Sequence, residues 1–547
     1  MAVSEAINGR KGLSFPTSPL PSSPKSMILD NIQDAELIIR KWDIIHGVSI
    51  SLFHNPDEAK QFLKCVKNLR QSMHFFASQH SASNKLSLAQ NLMEISMKRL
   101  QKELFFLLSS HPENLTPSSV SSVSSPSSDG SSNFEEEMSD LKLIADCMIS
   151  SGYTKECIQI YQSVRKSKVE EGLYQLGIEK IRSSQIRKLN SEVLQSLINN
   201  WQNGVKVAVR TVFTSEKSLC DHVFSSSQTI RESCFSYITR EAAMDLFKFP
   251  LFVAKIKRSP ERIFPLMELY ETILNLWPEI EVTFSSESTS SVQLQVVSSL
   301  QRLGESVRAV LSDFESIIQN DSSKTLVIGG GIHPLTRTVM NYISSLSDYS
   351  SIPVPDSPLL ESNEDSSAVS VYFAWLILVL LCKLDRKAKG YKDVALSYLF
   401  LANNLQFIIV KVCETQLKFI LGEDWISEHS RKVKQYASGY ELMGWNRVFS
   451  SLPDKNGVVE LSDEVAKEHF EMFNEAFEGA YKKQKSWIVE DGKLRDELKV
   501  SIGSKLVPVY REFYNSFLGI QVRFDPDDVG NCLSELFHGA EIIDGRI

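Results

Sequence analysis

Little in this 547-residue chain is suited to bending it or stapling it. Glycine numbers 24 and proline 19, about 4% and 3% of the residues against usual shares of roughly 7% and 5%. That scarcity excludes a collagen-like chain and disfavours a turn-rich all-β fold. The eight cysteines, at 65, 147, 157, 220, 234, 382, 413 and 532, fall at no CxxC spacing and form no dense disulfide framework. They read as reduced, buried, structural thiols of a cytosolic protein. Net charge is −8 and the isoelectric point near 5.8, so no bulk positive field exists to hold nucleic acid. A secretory leader is also missing: Met1 to Ser26 is polar, with Pro16, Pro19, Pro21 and Pro24 set among serines. The longest apolar stretch, Ser366 to Cys382, falls short of the roughly 20 residues a membrane span needs and opens on two serines. It is expected to be a buried core helix, and no internal membrane anchor is expected.

What the chain does have is helical periodicity almost throughout. Trp201, Val205, Ala208 and Val212 recur at steps of four, three and four, with Lys206 and Arg210 off that face. Leu266, Tyr270, Ile273 and Trp277 repeat the pattern, as do Phe470, Phe473, Phe477 and Tyr481. Ser259-Pro260-Glu261 and His333-Pro334 read as helix starts, with proline in the first turn. Pro278 is expected to end the helix that holds Trp277. Leu326-Val327-Ile328 is the best strand candidate in a chain otherwise read as all-α.

A single core stops growing near roughly 250–300 residues, so this much helix is expected to stack into consecutive bundles forming an elongated rod. No fixed-period repeat marks a consensus solenoid. Two segments are too poor in apolar residues to order: a leader over 1–26, and a Ser-rich linker over 116–138 that ends in Glu135, Glu136 and Glu137. These divide the chain into an N-terminal helical segment over 27–115 and a helical rod over 139–547. Shorter breaks at Ser285 to Ser291 and Ser347 to Ser367 read as loops within the rod.

Catalytic chemistry is hard to find. Gly329-Gly330-Gly331-Ile332-His333-Pro334 lacks the Lys-Ser or Lys-Thr of a phosphate loop, the spacing of a dinucleotide loop, and any GxSxG partner. Its expected role is a sharp turn into a helix begun at Pro334. Cys220-Asp221-His222 with Cys234 is the only loose metal-like grouping, and it has no second ligand pair at finger spacing. No catalytic residue, cofactor or metal is therefore assigned, and no enzyme is expected. Local charge is more informative. Lys482 to Arg523 carries nine basic residues against five acidic, and Lys383 to Lys392 five against one, whereas the stretch from Phe524 onward is acidic. Basic clusters of this kind near a chain end can hold an anionic membrane surface, at roughly 1 kcal/mol per residue close to the lipid, although a charge run is usually just a solvated face.

Four blocks identify a resemblance. They are Trp201 with Val205 to Arg210 and Ser215 to Asp221; Gly330 to Arg337 with Val339-Met340-Asn341-Tyr342; Lys389 to Lys392 with Leu399 to Asn404; and Val507 to Arg511 with Phe513-Tyr514. In this order they resemble the plant seventy-kilodalton subunit of the exocyst tethering complex, from about 150 to 540; the N-terminal 140 residues resemble it loosely. The resemblance implies a non-enzymatic rod of helical bundles, cytoplasmic and peripheral at the plasma membrane. It implies a role in tethering secretory vesicles, through other exocyst subunits and phosphatidylinositol 4,5-bisphosphate.

One departure bears on the lipid. The family's lipid-contacting lysines correspond to Ile520-Gln521-Val522-Arg523-Phe524, where only Arg523 keeps a positive charge and Ile520 occupies the other lysine's place. Asp525, Asp527 and Asp528 follow and repel anionic lipid. Weaker phosphoinositide binding is expected unless Lys482, Lys483, Lys485, Lys505 or Arg511 compensate. The alternative is a protein-docking adaptor of the same fold, of the kind tied to immunity or autophagy, which recognises peptide partners with little lipid contact.

Overall fold

A computed structural model describes residues 24–43, 51–78, 84–110, 129–323, 326–349, 351–355, 365–453 and 462–539. Among them every regular element is helical. The one pairing of extended backbone is an isolated bridge between Ile488 and His538. The chain divides into two compact units, Met1–Phe252 with Ile273–Ser299, and Val253–Thr272 with Leu300–Ile547.

In the first unit, helices Pro56–Ser78 and Asn84–Ser110 bury Phe62, Leu69, Leu92, Leu100 and Leu104. The periodic face read at Trp201 is buried as expected: Trp201, Val205, Ala208 and Val212 all lie in the core. The helix Ser191–Val207 starts where Asn190 accepts the Val193 amide, at 2.9 Å. It passes through a π-helical turn, Ala208–Phe213, before resuming as Thr214–Val223. The Thr214 hydroxyl, donating to the Val209 carbonyl at 2.8 Å, satisfies an acceptor in the widened turn. The indole of Trp201 donates to the Leu246 carbonyl, so its burial leaves no orphaned N–H.

The second unit is organised on aromatic residues. Helices Asp463–Gln484 and Gly492–Ser516 stack Phe473 on Tyr510 (ring centroids 4.1 Å apart) and Phe470 against Phe513 (4.5 Å). Helix Glu423–Ser450 adds Tyr440 and Trp445, whose indole donates to the Tyr440 hydroxyl, which in turn donates to Gln484. The helices Val394–Glu414 and Glu423–Ser450 approach so closely at Gly439 that a Cβ there would lie 2.9 Å from the Tyr398 ring.

Several sequence expectations need correction. Pro278 does not end its helix, which runs Ile263–Thr283. Both Pro278 and Leu274, the residue whose carbonyl loses its amide partner, are exposed, so water can take the lost bond. Leu326-Val327-Ile328 forms no strand but leads into a short 3-10 turn, Ile328–Gly330. All eight cysteines are free, yet Cys382 and Cys413 are exposed rather than buried. Ser259 precedes a 3-10 turn, Pro260–Arg262, without a side-chain cap bond.

The apolar run lies on helix Asp365–Ala388, which buries Tyr372, Phe373, Leu376, Ile377 and Leu380 and leaves Leu378 half exposed. By length and composition alone, Ala368–Ala388 and Val394–Glu414 would both suffice to cross a membrane. Their buried faces pack against the rest of the unit as core helices do. Helix Pro24–Lys41 begins within the stretch read as leader, and helix Asp129–Ser150 within the stretch read as linker. Residues 1–23 and 111–128 lie outside the described residues.

Candidate functional site

The glycine string builds a joint. Gly329 and Gly330 both take positive φ, 73° and 72°, and a side chain on either would collide with its surroundings. Helix Pro334–Leu346 then starts with His333 as its cap, the imidazole Nδ1 accepting the Leu335 amide at 3.0 Å. Two asparagines from helix Val394–Glu414 hold the joint in place. Asn403 donates to the carbonyls of Gly330 and Ile488, both at 2.7 Å. Asn404 accepts from the His333 amide and the Thr336 hydroxyl and donates to the Gly331 carbonyl. The His333 imidazole thus serves the start of the helix that follows it. Asn403 and Asn404 were visible in the sequence as part of a family-like block, but nothing local revealed that they clamp a loop about seventy residues away.

The metal-like grouping is dispersed. Cys220 is buried against Tyr161 and Glu216, while Asp221 pairs with Arg231 at 3.1 Å. Burial pushes the Cys157 and Cys234 thiols up to about 12, which makes them inert near neutrality. Among the described residues no group of three or more His, Cys, Asp or Glu is placed to hold a metal ion.

The six basic residues named from the sequence all lie exposed on the second unit, and each already faces a carboxylate of the same chain. Arg523 grips Glu478 with two hydrogen bonds, 2.6 and 2.9 Å, and Lys482 shares that carboxylate. Lys482, and after it Arg523, hold the Glu478 carboxyl below its ordinary range. Lys483 pairs with Asp393. Lys485 pairs with Glu535 at 3.1 Å, and Glu535 also accepts from the Tyr481 hydroxyl. Lys505 meets Glu441, and Arg511 meets Asp527 at 2.7 Å.

The structure therefore brings Lys482 and Arg523 together on one acid and distributes the other four over four more. Only the Glu478–Lys482 partnership, four apart on one helix, was readable from spacing. The aspartates expected to repel lipid have local duties as well. Asp525 caps helix Pro526–Ser534 in a reciprocal box with Asp528, and Asp527 neutralises Arg511. Ile520, in the place of a lysine, packs against the hydrophobic core.

Helical throughout its described residues, with a conspicuous loop that is structural and six named cations that face acids of the same chain, this is a helical-bundle protein. Its family follows from similarity. A family model for the C-terminal part of Exo70, an exocyst complex subunit, matches residues 199–535, and one for the N-terminal part of the exocyst complex component Exo70 matches 31–110. Exocyst complex component EXO70A1 of Arabidopsis thaliana is 28% identical over 94% of this chain and 89% of its own length. EXO70B1 of the same plant is 33% identical over 74% of this chain and 66% of its own. A solved structure of S. cerevisiae Exo70 shares the fold, with a TM-score of 0.60 at 17% identity over 94% of this chain and 99% of that one. The chain belongs to the Exo70 family. This is a family of structural tethering-complex subunits and not of enzymes.

Proposed function

We propose that this protein is a working subunit of the exocyst, binding other exocyst subunits and helping to dock secretory vesicles at the plasma membrane. It acts from the cytoplasm as a peripheral protein with phosphatidylinositol 4,5-bisphosphate as its lipid contact. The observation that carries this reading is the family match across 199–535, joined to similarity over most of the length of a relative named as an exocyst component. The ion pairs around Arg523, Lys505, Arg511, Lys482, Lys483 and Lys485 do not forbid lipid. Pairs with both partners exposed, as in Lys485–Glu535 and Arg511–Asp527, are worth about 0–1 kcal/mol, so a phosphate of higher charge can displace the carboxylate there.

The same pairs favour a second reading, a docking adaptor whose lipid contact has weakened, because each cation must first give up its acid. Sedimentation with vesicles containing phosphatidylinositol 4,5-bisphosphate over a salt series separates the two. Salt-sensitive binding that falls in Arg523→Glu, or on charge reversal of Lys482, Lys483 and Lys485, supports the tether. Absence of binding at low salt, with retained binding to purified exocyst subunits, supports the adaptor.

A further inference from the structure

Ile328 is the most exposed large apolar side chain among the described residues, at 89%. Single exposed aliphatic residues are ordinary on protein surfaces; the manner in which this one is held is not. The Tyr391 hydroxyl donates to the Val327 carbonyl at 2.9 Å and accepts the Val327 amide at 3.1 Å. The Ile488 amide donates to the Gly329 carbonyl, and the Gly330 amide closes the turn onto Val327. The tip is thus fixed with Ile328 outward, and Val394, 53% exposed, opens the neighbouring helix whose Leu396 packs against Gly330.

Cations flank the tip on two sides. Lys389 and Lys392 sit on the turn that holds Tyr391, with Arg386 one helical turn earlier, and Gly390 of that turn packs against Leu326. On the other side, the Ser486 carbonyl lies against Gly329 and follows Lys483 and Lys485. With Lys387, which pairs with Asp321, six cations are opposed there by four carboxylates: Asp321, Asp385, Asp393 (paired with Lys483) and Glu535 (paired with Lys485). Glu490, beside Gly331, is balanced by Arg337.

A rigid apolar projection inside a cationic rim has the chemistry of an interfacial anchor: the alkyl group enters the headgroup–acyl boundary while ammonium groups stay with the phosphates. Because the backbone is already fixed, little ordering cost is added on binding. We propose that the Ile328 tip, with Lys389 and Lys392, is a membrane-insertion point for anionic bilayers, separate from the Arg523 region. This inference rests on the reading of the protein as a peripheral membrane tether.

The test uses the full chain with phosphatidylcholine vesicles, with and without phosphatidylserine. Wild type is expected to partition onto the anionic vesicles only. Ile328→Ser is expected to lower partitioning about tenfold with unchanged thermal unfolding, since the side chain is solvent-exposed. Lys389→Glu with Lys392→Glu is expected to lower it further, by at least about fivefold per charge. Ile328→Trp is expected to strengthen binding and to be quenched by brominated phosphatidylcholine. If wild type binds and Arg523→Glu weakens it, while Ile328→Ser and Ile328→Trp change nothing and no quenching appears, the tip proposal falls and the lipid reading stands. If wild type binds neither vesicle, the tip proposal falls; if vesicles containing phosphatidylinositol 4,5-bisphosphate are not bound either, the lipid reading falls with it. If Ile328→Ser instead releases a purified exocyst subunit with vesicle binding intact, the tip is a protein contact and the proposal is overturned.

Discussion

Glu216 has no exposed surface, accepts hydrogen bonds from Arg165 Nε at 2.8 Å and the Tyr161 hydroxyl at 3.2 Å, and forms an ion pair with Arg165 Nη2 at 2.8 Å. Glu216→Gln would remove the negative charge that the buried Arg165 guanidinium faces. A loss of about 3–5 kcal/mol is expected in urea unfolding of the full chain. Gly329→Ala is expected to lower the melting temperature as well. Its positive φ costs about 1–2 kcal/mol for any L side chain, and the new Cβ would lie 2.9 Å from the Ser486 carbonyl, which is backbone and cannot swing aside. His429 gives a pH signature. It is buried against Trp425, and desolvation holds its pKa below the ordinary 6.5. The unfolded chain therefore takes up the proton first, so this contribution is complete above about pH 6.5 and is lost as pH falls toward the folded value. Stability followed by chemical unfolding should decline over that window, and His429→Phe should flatten the decline.

At the scale of the element, Asp393 has two duties that one substitution can separate. Its carboxylate caps helix Val394–Glu414 by accepting the amides of Ala395 and Leu396, and it also pairs with Lys483. Asp393→Ala should cost about 1 kcal/mol. Asp393→Asn should retain most of the cap, free Lys483 and raise affinity for anionic vesicles, measured by sedimentation beside thermal unfolding. Helix Ile263–Thr283 makes the complementary point. A mid-helix proline survives where its side faces water, and packing of Leu266, Met267, Ile273 and Ile280 carries the helix past it.

At the scale of the whole molecule, net charge of −8 coexists with six exposed cations, named above, that are held near acids of the same chain. At those six, association with an anionic surface would proceed by exchange of partners rather than by bulk attraction. The expected result is vesicle binding that falls steeply between low and physiological salt. Charge reversal at Lys482, Lys483 and Lys485 should weaken binding at low salt and flatten its salt dependence, since fewer cations remain to exchange and Asp393 and Glu535 would be left without their lysines.

The sequence by itself determined the helical class, because periodicity and end signals act over a few residues and can be read at that range. Trp201, Val205, Ala208 and Val212 were legible as a buried face, and His333-Pro334 as a helix start. The absence of a motif around Gly329 to Pro334 was equally plain, and four ordered blocks pointed to the family. Tertiary structure alone decided what the charges do. Arg523 finds Glu478 across 45 residues and Lys505 finds Glu441 across 64, and no local pattern encodes a partner on another helix. It also decided that Ile328 projects and Cys382 is exposed, because exposure is set by what packs against a residue and not by its own hydrophobicity.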